Sequence, residues 1–166
     1  MSRAFVKELD EEQADKDVIE RPQSEYPNYI TLAGLNQIKN DLEQMKSQYR
    51  ELKSREDELS AKSQIKSLEA DIRYLEKRTQ CALPIDPKLQ SGDEIRFGAS
   101  IKLIDENGHH HTFRIVGEDE ADADKGDISW VSPLARELIG KQAGDTLVWT
   151  KPAGDLELEI LEINYE

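Results

Sequence analysis

Residues 31–80 contain no proline and one glycine, Gly34, near their start. Within them Leu35, Ile38, Leu42, Met45, Tyr49 and Leu52 recur in alternating steps of three and four. The same spacing resumes at Ala61, Ile65, Leu68, Ile72 and Leu75. That rhythm is the a/d seam of a coiled coil, and Thr31 is suited to cap the first helix. Each seam is too narrow for a globular core. Folding one against the other pairs Ile38 with Ile72, Leu42 with Leu68 and Met45 with Ile65, all sharing a midpoint at position 55. The spacing therefore predicts an antiparallel hairpin turning at about residues 54–58. Arms of about 23 residues project roughly 35 Å at ~1.5 Å per residue. No Gly, Pro or Asn marks the bend, so an intermolecular coiled coil stays open as the alternative.

The predicted turn reads "KSREDELS", residues 53–60, with Glu56, Asp57 and Glu58 in succession. Two of three neighbouring carboxylates can face one ion, and hard oxygen ligands suit Mg²⁺. Charge at a hairpin tip is also what solvation alone favours, with Lys53 and Arg55 partly neutralising it. Both readings stand on the sequence.

After "LPIDP", read as a linker, the pattern changes to strand-like runs: "IRFGASIKLI", "HTFRIVG", "ISWV", "DTLVWT" and "LELEILEINY". Asn107–Gly108 offers a hairpin turn. "SPLARELIG" predicts a short helix, with Ser132 at the cap, Pro133 in the first turn and Gly140 ending it. Antiparallel strands around one short helix make a small α+β domain.

The net charge of −13 is uneven: −4 over residues 1–30, +1 over 31–80 and −10 over 81–166. An acidic body lacks the clustered Lys and Arg that a phosphate backbone requires, and it favours a protein partner with a basic surface. Residues 1–26 are acidic and poor in apolar side chains, which predicts a disordered tail. One cysteine, Cys81, permits no intrachain disulfide. No apolar run approaches the ~20 residues that span a bilayer, and the first residues contain no signal-peptide core. A soluble, cytoplasmic protein is expected.

"FRIVGEDEADADKGDISWVSPLARELIGKQAGDTL", followed by "PAGDLELEILEINY", resembles the C-terminal pattern of the bacterial Gre transcript-cleavage factors in order and spacing. "TLAGLNQIKNDLEQM" and the predicted hairpin resemble their N-terminal half more loosely, so the likeness covers about residues 28–166. Outside it lies the tail over 1–26; the likeness implies an antiparallel coiled-coil domain over 27–82 and an FKBP-like antiparallel β domain with one short helix over 83–166. It also implies a function. Gre factors dock the globular domain on the rim of the secondary channel of RNA polymerase and send the coiled coil inward. Acidic residues at its tip help hold a Mg²⁺ at the polymerase's active centre, where RNA is hydrolysed by metal-assisted chemistry. Such a factor has no catalytic residues of its own and binds no cofactor stably. Carried over, Glu56, Asp57 and Glu58 are the candidate ligands of the shared Mg²⁺, and Val131, Ser132 and Pro133 the candidate polymerase contact. Because the two seams satisfy each other within one chain, a monomer is expected, and the charge and apolar pattern leave no sequence-specific nucleic acid and no membrane as partner.

The chain departs from the family in two places. Gre tips typically read like "DLSENAEY", which residues 50–65 do not reproduce, and the arms are roughly two turns shorter. In this it partly resembles the nucleoside-diphosphate-kinase regulators, Gre-like proteins with a stunted coiled coil. Family members also often carry an acidic residue where Val131 stands. A channel-occupying regulator that does not stimulate cleavage, and competes with true Gre factors, is therefore the alternative function. A prolyl isomerase is a third reading. It needs an aromatic-lined pocket, whereas Phe97, Phe113, Trp130, Trp149 and Tyr165 are expected mainly in the core. The "HHH" of residues 109–111 is read as a polar hairpin end, with no Cys, Asp or Glu at a spacing that completes a metal site.

Overall fold

A computed structural model describes residues 20–55 and 59–166. Thr31 opens helix α1, Leu32–Lys53, and a second helix of equal length, α2, runs over Leu59–Gln80. Each has 22 residues, close to the expected arm. Ile38, Leu42, Ala61, Ile65 and Leu75 are buried, as the seam requires, while Leu68 and Ile72 are half-buried and Ala70, off the seam, is buried. Two polar links cross the helices: the Tyr49 hydroxyl donates to Glu69 at 3.0 Å, and Lys46 pairs with Glu76 at 2.9 Å. Stepping back along α1 steps forward along α2, so the arms are antiparallel. The turn expected at 54–58 begins at Ser54–Arg55; Glu56, Asp57 and Glu58 lie outside the described residues.

Of the expected tail, residues 1–19 also lie outside them. Residues 20–25 run along α2. Glu20 pairs with Arg73, Arg21 lies 3.9 Å from the Tyr74 ring centroid, and Gln23 donates to the Tyr74 carbonyl.

The chain divides into two compact units, with one boundary after Cys81, beside the expected linker, and another inside α1, after Leu35. Residues 36–81 group with 20–25; residues 26–35 group with 82–166. The cause is a pairing that the sequence reading missed. Strand β1, Tyr29–Thr31, runs parallel to β2, Leu83–Ile85, so "LPI" is a strand rather than a linker. The main sheet has the order β5-β4-β3-β7-β6, formed by β3 (Ala99–Asp105), β4 (His110–Val116), β5 (Asp127–Ser129), β6 (Thr146–Lys151) and β7 (Gly154–Tyr165). It is antiparallel except for β4–β5, which is parallel. Alternation along β3 sends Ala99, Ile101 and Leu103 inward. In β7 the inward parity would put Glu162 inside, but a bulge opposite Lys102–Leu103 resets it. Leu158 and Ile160 therefore fill the core before Leu161, and Ile163 and Tyr165 pack against it afterwards.

Helix α3, Pro133–Leu138, covers this face with Leu134, Ala135 and Leu138 buried. Ile101, Leu103, Ile115, Leu138, Leu158 and Ile160 are fully or almost fully buried. Each such side chain stabilises the fold by about 1.5–3 kcal/mol.

The short β1–β2 pair is fastened by Glu120. Its carboxylate accepts from the backbone N–H of Thr31 at 3.0 Å, from the Thr31 hydroxyl, and from the N–H of Gly117 at 2.8 Å. Thr31 Oγ1 in turn accepts from the N–H of Gly34 at 3.0 Å, capping α1 as expected. Two glycines make room. A Cβ on Gly117 would lie 2.4 Å from the Tyr29 carbonyl oxygen, and one on Gly34 would lie 2.0 Å from Glu120 Oε1.

Gly→Ala in a helix normally gains about 0.5–1 kcal/mol. Gly34→Ala should instead lower stability by about 1 kcal/mol or more, because the Cβ displaces the carboxylate from its three donors. In a Glu120→Ala background the same change should be neutral or stabilising. Denaturant midpoints of the four proteins in this double-mutant cycle measure the coupling.

Candidate docking surface

Ser132 and Pro133 begin α3. The Ser132 hydroxyl oxygen accepts from the Ala135 N–H at 3.2 Å, and Pro133 occupies the first turn, where a missing N–H costs nothing. The helix lies beside β6, which ends the sheet order, and the two leave a concave groove of about 610 Å³. Ser132, Pro133, Ile128 and Leu134 line it from the helix side, and Val148 and Trp149 from the strand. Val131 is half-buried, its N–H directed to the Ser129 hydroxyl, and is not among the lining residues. The structure thus brings two of the three expected contact residues to the groove.

The floor is rigid and aromatic. Trp149 meets Phe113 edge to face at 5.3 Å and His111 at 6.1 Å. Val148 is 55% exposed, an apolar side chain on the outermost strand. Charges of both signs, Arg136 and Glu137, also line the groove, and Lys151 lies just beyond it. Lys151 Nζ lies 4.2 Å from the Trp149 ring centroid. Arg136 donates to the Tyr26 hydroxyl at 2.8 Å, and Tyr26 meets Trp130 edge to face at 6.1 Å. Open shape, apolar floor and charged rim suit a macromolecular surface more than an enclosed small molecule. Sequence reasoning found the helix start but not the strand side. Val148 and Trp149 alternate as any edge strand does, and nothing local says which helix they face.

A second cluster sits at the hairpin between β3 and β4. Asp105 is buried, and its Oδ1 accepts from the N–H groups of Asn107 and His109, both at 2.9 Å. Its Oδ2 lies 2.9 Å from His111 Nε2 and 3.4 Å from His109 Nδ1. The His111 hydrogen bond, reinforced by these N–H groups against the opposing effect of burial, holds the carboxyl far below the usual carboxylate range. The sequence reading took "HHH" as a hairpin end and saw no partner for it. The register supplies one: Leu103 pairs with His111 and Ile104 with His110, bringing Asp105 across from His109. The loop is Glu106–Asn107–Gly108, with Gly108 left-handed at φ 83°.

Residues 90–165 match the family model described as "Transcription elongation factor, GreA/GreB, C-term". Transcription elongation factor GreB of Neisseria meningitidis serogroup B is 43% identical over 93 residues, which are 55% of this chain and 57% of that protein. Transcription elongation factor GreA of Acidiphilium cryptum is 47% identical over 92 residues, 55% of this chain and 59% of that one. The matched stretch therefore spans less than two thirds of these curated relatives. Among solved structures, GreA factor homolog 1 (Gfh1) of Thermus thermophilus is 25% identical, covering 84% of this chain and 99% of its own, with a TM-score of 0.41.

The capping geometry generates a stability expectation. Ser132→Ala should cost about 1 kcal/mol through loss of the helix cap, whereas Ser132→Asp, which can accept the same hydrogen bond, should cost little. Chemical denaturation of both variants measures the difference.

Proposed function

We propose, from a C-terminal domain of the Gre elongation-factor family, that this chain is a transcription elongation factor acting on bacterial RNA polymerase. In this reading the groove beside Ser132 and Pro133 is the polymerase contact, at the rim of the secondary channel. The factor acts as a single chain in the cytoplasm on paused or backtracked complexes. The observation that carries the reading is where the groove lies within the stretch that matches the family. Residues 90–165 match the family, and within them the helix start expected to dock borders an open, largely apolar groove.

The chain's part is positioning rather than catalysis. Glu56, Asp57 and Glu58 are the proposed ligands for a Mg²⁺ shared with the polymerase, and a set of carboxylates fits a hard dication. Such an ion supplies Lewis-acid activation of water at the polymerase's own centre. The second reading, channel occupancy without stimulated cleavage, is favoured by the 22-residue arms and by a tip that lacks the family's motif.

RNA cleavage in stalled, backtracked complexes, with binding to core polymerase measured in parallel, tests both readings. Wild type should bind, and Pro133→Ala with Val148→Glu should weaken binding tenfold or more while the fold persists. Under the first reading, Glu56→Gln, Asp57→Asn and Glu58→Gln together should abolish stimulated cleavage and leave binding intact. Under the second, wild type itself stimulates nothing but inhibits a true Gre factor. Absence of binding by wild type would contradict both.

A further inference from the structure

We propose that residues 3–7 of this chain, Arg3-Ala4-Phe5-Val6-Lys7, add to the outer edge of β6 as a further strand and fill the groove from within the molecule. Val148 and Thr150 are exposed on one face of β6 and Trp149 points to the other, yet all three line the groove. The groove therefore runs along the edge of the strand. β6 ends the sheet order, so among the described residues no strand pairs with that edge. The Ile160 N–H donates to the Asp145 carbonyl at 2.9 Å, and bonded pairs alternate along an antiparallel ladder. Leu147 and Trp149 thus bond to β7, while Thr146, Val148 and Thr150 turn their N–H and C=O groups outward. Such an edge, with an exposed Val at its centre, is a template for an added strand.

The segment fits that edge in pattern and in charge. With Phe5 opposite Val148, Arg3 and Lys7 stand opposite Thr146 and Thr150 whichever way the strand runs. On β7, Glu159 pairs with Thr146 and Asp155 with Thr150, both exposed carboxylates within reach of long cationic side chains. Ala4 and Val6 fall opposite Leu147 and Trp149, on the apolar side of the groove. Residues 3–7 carry two cations and no carboxylate, against a net charge of −10 over residues 81–166, so the attraction is long-range as well as local. From Glu8 to Asp17 six of ten residues are acidic, and that reversal of charge ends the docked strand at Lys7.

The chain has the length to return. Arg136, which lines the groove, donates to the Tyr26 hydroxyl, and Glu20 is six residues before Tyr26, at most about 20 Å away. Thirteen residues lead from Lys7 to Glu20, enough to span about 40 Å. A tether of this kind holds the segment at a local concentration on the order of millimolar, so a weak strand contact is populated. Docked there, residues 3–7 cover Val148 and Trp149 and must leave before polymerase binds. That consequence rests on the groove being the polymerase contact; the docking itself does not.

Paramagnetic broadening in the full chain tests the docking. A nitroxide on Ser2→Cys, with Cys81→Ser removing the other thiol, should broaden the amides of Thr146, Val148 and Thr150 more than the rest of the C-terminal unit. The effect should survive dilution and vanish when the nitroxide and the isotope label are on different chains. Phe5→Asp should remove most of the broadening. So should Val148→Pro, which deletes an outward N–H and leaves the bonds to β7 intact; if that variant does not fold, Phe5→Asp alone decides. Phe5→Asp should also tighten binding to core polymerase severalfold. Unbroadened β6 amides, broadening that ignores Phe5, or broadening seen only between different chains would overturn the proposal. Broadening as expected without any polymerase binding would uphold it and remove only the polymerase reading of the groove.

Discussion

One carboxylate decides how the C-terminal unit is closed. Glu120 accepts from Thr31 twice and from Gly117 once, joining the start of α1 to the turn after β4. Strand β1 has three residues and could not persist as an isolated pair with β2. Fastened by Glu120, it becomes part of the domain, so that one boundary between the units falls inside α1 while the other stays beside the expected linker. The same carboxylate explains a helix glycine that propensity alone disfavours, since Gly34 is where Glu120 sits.

The groove depends on this domain being rigid. Its floor belongs to the aromatic packing of Phe113, Trp149 and His111, and its wall to α3, whose Leu134, Ala135 and Leu138 are core side chains. A surface built from the exposed backs of core elements is preorganised, so a partner docking there would lose little to ordering side chains. Arg136 and Lys151 each rest beside an aromatic ring, which limits the freedom of both cations.

Local periodicity was legible in the sequence, and long-range pairing was not. The two heptad seams gave two helices of equal length, and Ser132–Pro133 gave the start of α3, because caps and apolar spacing are written within a few residues. The latch between Thr31 and Glu120 joins positions 89 apart, and a parallel β1–β2 pair with a long helical excursion between its strands leaves no local signature. Asp105 was an intermediate case. Counting registers outward from Asn107–Gly108 places it beside His109, but only once the turn is known to be a three-residue loop. Of the candidate site, Ser132 and Pro133 were found from the helix start. Val148 and Trp149 were missed because an edge strand carries no mark of what it will face.

The central proposal, that α3 and β6 together would form a contact for RNA polymerase, is tested most directly by amide hydrogen exchange of the full chain with and without core RNA polymerase. The account predicts slowed exchange in residues 132–137 and 146–151 when polymerase is added, with little change in β3. Protection confined to other segments, with these two exchanging as in the free protein, would contradict it.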